Sequence, residues 1–320
     1  MRLVTATGPL DSPARVGTGD RKTLRIGVVQ HQWLADQAAL QAQLDEGIAL
    51  AVDNGAGVVF LAELTLSKYP ADTLPSGPAN ELAEDLATGP TMRFATAAAA
   101  RHGVLVHASL FERADIPEGV APARPDGLGY NTAILVDTQG TLVARTRKVH
   151  IPKTAGYYED KYFRGGPGDN AFPVVEVAAL GNARLGMPTC WDQWFPELAR
   201  AYSIGGAELL VYPTAIGSEP DHPDFDTQPL WQSVIVGNGI ANGLFMVVPN
   251  RFGNEGTITF YGSSFVSDPY GRILAQAPRD EAAVLVVDVE LAQRDDWLTL
   301  FPFLETRRPD AYGILTERIR

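Results

Sequence analysis

Runs of apolar residues alternate along the chain with amphipathic segments, and this pattern predicts a mixed α/β fold. The run LRIGVVQ from Leu24 is predicted as a buried strand, a helix follows that stops at Asn54-Gly55, and the apolar run VVFLAE is the next strand. A strand, a helix and a second strand in this order form a β-α-β unit. The first part of the chain is therefore expected to contribute such a unit.

The alternation continues to about residue 290, and hairpins appear among the later strands. Further strands are predicted at VLVHASLFE, YNTAILVDTQGTLVARTRK (two strands around a Gln-Gly turn), RLGMPT, ELLVYPTAI, LFMVVPN, SSFVSDPYGRIL and AAVLVVDVE, and helices at TMRFATAAAARHG, PELARAYSIGGA and WQSVIVGNGIANG. Neither a linker nor a repeat interrupts the series. The sequence therefore predicts one α/β domain over residues 23–290, with two sheets and outer helices.

Both ends of the chain depart from this pattern. Residues 1–22 are rich in Gly, Pro, Thr and Arg without periodicity, which indicates a flexible N-terminal extension. Residues 291–320 carry apolar side chains, such as Trp297, Phe301 and Phe303, that have no evident partner in their own segment. Because such side chains must be buried somewhere, we expect a C-terminal arm at a subunit interface and a homodimer or larger homo-oligomer.

Composition and charge narrow the possible partners. The chain has 320 residues, of which 45% are hydrophobic and 20% charged, and a formal net charge of −12. Binding to nucleic acid depends on clustered Lys and Arg, so an acidic chain argues against it. An acidic surface mildly favours a small cationic substrate through long-range attraction.

Cysteine usage and hydropathy bear on location and metal binding. With one cysteine the chain has no intrachain disulfide, and its five histidines form no cluster at zinc-ligand spacing. No signal-peptide core and no apolar run of about 18 residues is found. We therefore expect a cytoplasmic protein that does not insert into a membrane.

The only cysteine, Cys190, lies in GMPTCWDQWFPE, between a strand-like run and the start of a helix. A lone cysteine in apolar surroundings is usually a buried small hydrophobe. Here its position favours a nucleophile, because a strand-to-helix turn presents the sulfur at the sheet edge and directs main-chain N–H groups at a developing oxyanion. A thiol still needs a nearby base or cation for activation.

Two charged residues at strand ends are candidates for that activation. Glu63 ends the run VVFLAE and Lys148 ends LVARTRK, and ligands of α/β proteins bind beyond the carboxyl ends of strands. Plain strand caps are the more frequent explanation of such charges, so the pattern alone does not establish a functional role. Of the histidines only His150 is suggestively placed, whereas core or surface positions are expected for His31, His102, His107 and His222.

Three blocks around these residues resemble the nitrilase superfamily of carbon-nitrogen hydrolases. The blocks are FLAELTLSKYP, RKVHIPKTAGYYEDKYFRGGPGD and GMPTCWDQWFPELARAYSIGGAELLVYPTAIG, and they place Glu63, Lys148 and Cys190 at separations of 85 and 42 residues, in the usual range for the family. Together with YNTAILVD, FYGSSFVSDPYGRIL and RRPDAYGIL, the resemblance extends from about Leu24 to Leu315. It therefore covers nearly the whole chain.

The resemblance implies a fold and a set of catalytic roles. The fold is a four-layer α-β-β-α sandwich that assembles into homo-oligomers through its helical layers and uses no cofactor or metal. Glu63 is then the general base, Cys190 the nucleophile and Lys148 the group that stabilises the tetrahedral oxyanion. These residue types suit the chemistry, because a carboxylate can take the thiol proton and return it to the leaving amine, and a lysine supplies a fixed positive charge.

Further site residues follow from the same resemblance. Glu159 matches a second glutamate that many members place beside the lysine to orient substrate and catalytic groups. The main-chain N–H of Trp191 is the second oxyanion donor, and His150 is shared with members that hydrolyse carbamoyl groups. Tyr69 and Asn131 lie in the matching blocks and are assigned to oxyanion or substrate binding.

Within the superfamily, VHIPKTAGYYEDKYF and CWDQWFPELAR resemble the N-carbamoylputrescine amidase branch. That branch hydrolyses the C–N bond of an N-carbamoyl amine to the amine, carbon dioxide and ammonia. The chain departs from it at Val236–Gly239, where the branch usually has an Arg-Gly-His-Ala-like helix end. Acidic residues after YPTAIG, namely Glu219, Asp221 and Asp224, favour a cationic substrate tail.

Two other interpretations remain. An amidase or nitrilase acting on another small amide or nitrile would use the same three residues. A non-catalytic scaffold would retain the fold but not the chemistry. The presence of Glu63, Lys148 and Cys190 together argues against the scaffold.

Overall fold

Two β-sheets stacked face to face form the centre of the computed structural model, which describes residues 1–17, 21–114 and 127–318. Within these ranges the chain forms fifteen strands and five α-helices. The strands are β1 (Arg2–Ala6), β2 (Thr23–Gln30), β3 (Val58–Phe60), β4 (Leu105–Glu112), β5 (Tyr130–Val136), β6 (Leu142–Arg147), β7 (Val174–Val177), β8 (Ala183–Gly186), β9 (Leu209–Val211), β10 (Phe245–Val248), β11 (Phe252–Asn254), β12 (Thr259–Tyr261), β13 (Phe265–Ser267), β14 (Ile273–Gln276) and β15 (Ala283–Glu290). The helices are α1 (Gln37–Asp53), α2 (Pro90–His102), α3 (Pro196–Ile204), α4 (Gln228–Asn242) and α5 (Gln293–Leu300).

The described strands form two large sheets and one small hairpin. The first sheet has the order β1-β15-β2-β3-β4-β5-β6 and the second β14-β13-β10-β9-β8-β7, while β11 pairs with β12. The central strands β2, β3 and β4 are parallel, as are β8, β9 and β10. Their carboxyl ends therefore meet at common sheet edges, where the functional residues are expected.

Side-chain alternation along the strands produces four layers. On β2, Val28 packs into the core between the sheets and Val29 into the core beneath α1 and α2. On β9, Leu209 faces the other sheet and Leu210 faces α3 and α4. Successive residues of a strand point to opposite faces, so continuous apolar runs indicate strands covered on both sides. The predicted α-β-β-α sandwich is confirmed.

Helix α1 shows how local sequence sets an element's limits. Asp36 caps its first turn, where Oδ1 accepts a hydrogen bond from the main-chain N–H of Ala38 at 2.9 Å. The helix ends before Asn54 and Gly55, and Gly55 takes a left-handed φ of 89°. None of the helices within the described ranges is both long and apolar enough to cross a membrane.

The N-terminal residues contain a strand that the sequence pattern did not predict. Arg2–Ala6 pairs in parallel with β15 along the outer edge of the first sheet, and Ser12 donates a hydrogen bond to the Asp296 carboxylate. The prediction that residues 1–22 form a flexible extension is therefore wrong for this stretch. The strand is short and has no long apolar run, and its backbone pairing with β15 fixes it in place. Residues 18–20 lie outside the described residues.

The C-terminal segment packs on its own chain before it becomes exposed. In α5, the Trp297 indole N–H donates to the carbonyl of Ile240 at 2.8 Å, and the buried Arg294 donates to the carbonyl of Gly243 at 2.9 Å. The arm predicted from residue 291 therefore begins after α5, where Phe301 is 46% exposed. Its contact with another subunit stays a prediction, and residues 319 and 320 lie outside the described residues.

Candidate active site

Cys190 begins the turn that joins β8 to α3, as the sequence predicted. Strand β8 ends at Gly186, earlier than the predicted run RLGMPT, the 3₁₀ turn Cys190–Trp194 begins after three further residues, and α3 starts at Pro196. Cys190 is buried, has a left-handed φ of 41°, and donates its main-chain N–H to the carbonyl of Pro213 at 3.0 Å. A non-glycine residue in this conformation costs about 1–3 kcal/mol, which the surrounding structure must offset.

A buried ammonium group between two carboxylates lies behind the cysteine. Lys148 Nζ donates to Glu63 Oε1 at 3.0 Å and to Glu159 Oε2 at 2.7 Å. All three side chains are at most 1% exposed. The strand β3 is shorter than predicted, so Glu63 lies in the turn beyond it rather than at its end, whereas Lys148 follows β6 directly.

Burial and charge set the protonation states of this cluster. Burial disfavours the ammonium, but Glu159 and Glu63 outweigh it and raise the pKa of Lys148, so the cation is fixed. Burial, followed by the Glu63 charge, raises the pKa of the Cys190 thiol well above its ordinary value. Burial raises the pKa of Glu159 to about 7 against the opposing effect of Lys148. The resting thiol is therefore neutral and needs a base during attack.

Further hydrogen bonds orient the two carboxylates. Glu63 Oε1 accepts from Asn131 Nδ2 at 2.7 Å, and Oε2 accepts from the main-chain N–H of Ala215 at 2.8 Å. The Tyr69 hydroxyl donates to Glu159 Oε1 at 2.8 Å. Asn131 and Tyr69, assigned from the sequence to oxyanion or substrate binding, thus contact the carboxylates and are absent from the described lining of the cavity above Cys190.

His150 also lies elsewhere than expected. Its Nδ1 is 2.8 Å from Asp192 Oδ1, and its ring stacks on Phe195 with centroids 3.6 Å apart. His150 is not among the described residues that line the cavity above Cys190. Asp192, which the sequence reasoning missed, is fully buried and also accepts from the main-chain N–H groups of His150 at 2.9 Å and Thr189 at 3.1 Å. A carboxylate near the start of a turn is a recognised cap, and that signal could have identified it.

A cavity of about 370 Å³ opens above Cys190. Its described lining comprises Pro152, Thr154, Tyr157, Glu159, Cys190, Trp191, Trp194, Ile216, Glu219, His222, Phe225, Thr227 and Leu230. Two of these side chains are carboxylates, and none of the described lining residues is Lys or Arg. A larger cavity of about 670 Å³ lies beside it and shares Phe225 and Thr227, but it does not include Cys190.

The acidic residues of the loop after YPTAIG separate in the structure. Glu219 lines the cavity above Cys190, where burial raises its pKa while Thr227 and His222 act against the shift. Asp224 lines the neighbouring cavity, and Asp221 lines neither of the two. Only Glu219 is thus placed to meet a substrate bound at Cys190.

The departure at residues 236–239 lies away from the cavity above Cys190. These residues belong to α4 and line neither of the two cavities. Asn238 Nδ2 donates instead to the main-chain carbonyl of Gln193 at 2.9 Å, which supports the turn after the nucleophile. The segment therefore contributes packing beneath the site rather than contacts inside it.

The fold and the site define a carbon-nitrogen hydrolase. The model of the carbon-nitrogen hydrolase family matches residues 25–298, and the chain belongs to that family. A solved carbon-nitrogen hydrolase from Helicobacter pylori G27 superposes with a TM-score of 0.81 at 30% identity, covering 93% of this chain and 100% of the other. The resemblance to the nitrilase superfamily is confirmed.

Two curated relatives indicate the range of substrates. A citrullinase from Francisella tularensis is 34% identical over 300 residues, which is 92% of this chain and 99% of the relative. An N-carbamoylputrescine amidase from Arabidopsis thaliana is 39% identical over 225 residues, which is 67% of this chain and 69% of the relative. This chain is therefore similar to two enzymes whose names specify different substrates.

Proposed function

We propose that this enzyme hydrolyses the terminal ureido group of a small N-carbamoyl amine whose tail carries a positive charge. The observation that carries the proposal is the cavity above Cys190, whose described lining has Glu219 as an acidic wall residue and neither Lys nor Arg. A carboxylate in a largely apolar wall attracts a cation and repels a substrate carboxylate. The aromatic rings of Trp191, Trp194 and Phe225 suit both a methylene chain and an ammonium group.

The first half of the reaction forms a carbamoyl enzyme. Cys190 Sγ bonds to the ureide carbonyl carbon as its proton passes to Glu63, and the carbonyl oxygen becomes an oxyanion. Lys148 and the main-chain N–H of Trp191 stabilise that charge, since the N–H of Cys190 already binds Pro213. The C–N bond then breaks, and Glu63 returns its proton to the departing nitrogen.

The second half regenerates the thiol with water. Glu63 takes a proton from a water molecule while the water oxygen bonds to the carbonyl carbon. The C–S bond then breaks, and Glu63 passes that proton to the Cys190 sulfur. The released carbamic acid gives carbon dioxide and the second nitrogen product. The balance is R–NH–CO–NH₂ plus H₂O to R–NH₂, CO₂ and NH₃, and Glu159 holds Lys148 in place through both halves.

Citrulline is the second candidate substrate because the citrullinase relative matches nearly end to end. Its tail bears an ammonium group, which Glu219 suits, and a carboxylate, for which the described lining has neither Lys nor Arg but only the imidazole of His222. We therefore rank it below a ureide that carries only an amine.

The test is a set of kcat/KM measurements on four ureides that differ in the tail and on one nitrile. N-carbamoylputrescine is compared with N-pentylurea, which replaces the ammonium by a methyl group, and with N-carbamoyl-β-alanine, citrulline and a nitrile. We expect the cationic ureide to be fastest. The variant Glu219→Gln should lower its kcat/KM by roughly tenfold, about 1.4 kcal/mol, and leave N-pentylurea nearly unchanged.

The matched control is Asp221→Asn, which removes a neighbouring charge that does not line the cavity. It should leave the order of substrates unchanged. A wild-type preference for the β-alanine derivative would contradict the cationic tail but not the class of reaction. Equal loss on both alkyl ureides in Glu219→Gln would show that Glu219 does not recognise charge.

A further inference from the structure

We propose that Arg251, paired with Glu255, is a positioning residue that holds both active-site carboxylates in place from behind. The inference rests on the roles proposed above for Glu63 and Glu159. Arg251 lies three residues after the end of β10, and its side chain is 0% exposed. It does not line the cavity above Cys190, so it acts only through other residues.

The guanidinium group binds the main chain at the general base and at the residue that follows it. Arg251 Nη2 donates to the carbonyl of Glu63 at 2.6 Å and to the carbonyl of Leu64 at 2.9 Å. Arg251 Nη1 is held by Glu255 Oε1 at 2.7 Å and Oε2 at 3.0 Å. One buried cation thus donates hydrogen bonds to two successive carbonyls and pairs with one carboxylate.

These hydrogen bonds matter because the main chain is strained at Leu64. Leu64 has a left-handed φ of 50°, which costs a non-glycine residue about 1–3 kcal/mol. The left-handed residue turns the chain so that the carbonyls of Glu63 and Leu64 both face the guanidinium. On the other side, the main-chain N–H of Leu64 donates to Ser109 Oγ at 3.1 Å. The direction of the Glu63 side chain therefore depends on a turn that Arg251 stabilises.

The partner of Arg251 reaches the second carboxylate. Glu255 Oε2 accepts a hydrogen bond from the main-chain N–H of Tyr69 at 2.9 Å, and the hydroxyl of Tyr69 donates to Glu159 at 2.8 Å. The ion pair thus connects to Glu63 through a carbonyl and to Glu159 through one tyrosine. A shift of the pair moves both carboxylates relative to Lys148.

The geometry calls for arginine specifically. A buried ion pair contributes little net stability when apolar residues of similar volume could replace it. A lysine would keep the charge, but its single nitrogen cannot bind Glu255 and the two carbonyls from the two ends of a planar fork. Arg251→Lys should therefore preserve the buried charge while loosening the turn at Glu63.

The experiment separates positioning from folding by using two leaving groups. Arg251→Lys and Glu255→Gln are assayed on a simple primary amide and on the p-nitrophenyl ester of the same acyl group. The burst of p-nitrophenolate counts functional Cys190, so rates are expressed per active site. Ammonia must be protonated to leave and p-nitrophenolate need not be, so a displaced Glu63 harms the amide more.

We expect kcat per active site on the amide to fall by roughly 100-fold in both variants, with KM little changed, because a small misplacement has about this effect. On the ester, the rate constant of the burst, which reports acylation alone, should show a loss roughly tenfold smaller. Glu63→Gln should show the same selectivity more strongly. The matched control is Arg294→Lys, since Arg294 is also buried and donates to the carbonyls of Asn242 at 3.0 Å and Gly243 at 2.9 Å, far along the chain from the site.

Arg294→Lys should lower the melting temperature and leave both rates per active site unchanged. Equal losses on amide and ester in the Arg251→Lys enzyme, or no loss, would overturn the inference alone. If Arg251→Lys does not fold, Glu255→Gln carries the same test. If Glu63→Gln loses equal activity on the amide and on the ester, the proposed role of Glu63 is wrong, and so is the inference that rests on it. Neither substrate is a ureide, so the outcome is independent of the substrate proposed above.

Discussion

Asp192 and His150 join the two segments that carry the nucleophile and the cation. The Asp192 carboxylate accepts from the main-chain N–H of His150 at 2.9 Å and lies 2.8 Å from the ring Nδ1 of the same residue. His150 is two residues from Lys148, and Asp192 is two residues from Cys190. The relative position of the ammonium group and the sulfur is thus fixed by a carboxylate that does not line the cavity.

This relationship gives a first prediction. Asp192→Asn should destabilise the fold by roughly 1–3 kcal/mol, because an amide group turns a donor toward N–H groups that now lack an acceptor. It should also lower kcat, which chemical denaturation and steady-state kinetics on one preparation will measure. Asp268→Asn is the control, since Asp268 is 1% exposed and accepts from Arg272 outside the site. Unchanged kcat in Asp192→Asn would mean that the link is structural only.

Replacing the nucleophile should abolish turnover without loss of the fold. In Cys190→Ala the methyl group cannot accept the acyl group, so ammonia release should fall to background while the melting temperature stays near that of the wild type. Mass spectrometry of a trapped wild-type intermediate should place the added mass on Cys190. Residual turnover of the purified alanine variant at the wild-type rate would refute covalent catalysis by this residue.

Removing the buried cation Lys148 should lower kcat severely. Lys148→Met should lower kcat by about 10²–10³-fold, since one oxyanion donor is worth about 3 kcal/mol. The loss also leaves Glu63 and Glu159 without their shared partner. Lys153→Met, at an exposed position five residues further along, is the control and should behave as the wild type. If Lys148→Met kept more than about a tenth of kcat, its assigned role would be wrong.

A buried histidine should contribute to acid sensitivity. Burial lowers the pKa of His107 to about 3, so between pH 6.5 and 3 the unfolded chain binds a proton that the folded chain does not. Stability then falls as the pH falls through this window. His107→Leu has no group to protonate, so its melting temperature should decline less steeply from pH 6.5 to pH 4.5.

The control for that measurement is His222→Leu, at an exposed position. It reports the effect of the same substitution where no imidazole is buried. An unchanged slope in His107→Leu would show that other groups account for the acid sensitivity. His31, whose pKa burial also lowers to about 3, would be the next residue to replace.

The layers and the nucleophile turn were predictable because they follow from local pattern. Alternation such as Val28 inward and Val29 outward belongs to consecutive residues, and the turn at Cys190 comes shortly after a strand and shortly before a helix. The strand Arg2–Ala6 was not predictable, because its partner β15 lies about 280 residues away and the strand itself is short. Its backbone hydrogen bonds leave no signal in the side chains.

Polar contacts between distant segments were missed for the same reason. Asp192 binds Val149 and His150, and Arg251 binds the carbonyl of Glu63 across 188 residues. A sequence shows that such residues are charged but not which groups they meet after folding. The family resemblance supplied Glu63, Lys148 and Cys190, and only the folded contacts supplied what holds them.

The protonated resting state of Cys190 also determines which reagents the enzyme resists. Peroxide and alkylating agents react with thiolates, so a thiol kept neutral by burial should be oxidised and alkylated slowly. An electrophile with an amide-like carbonyl is different, because it recruits Glu63 to remove the proton as it binds. Since the chain has one cysteine, such a compound would label a single position. Inhibitors that mimic the substrate should therefore react with Cys190 faster than peroxide or general alkylating agents do.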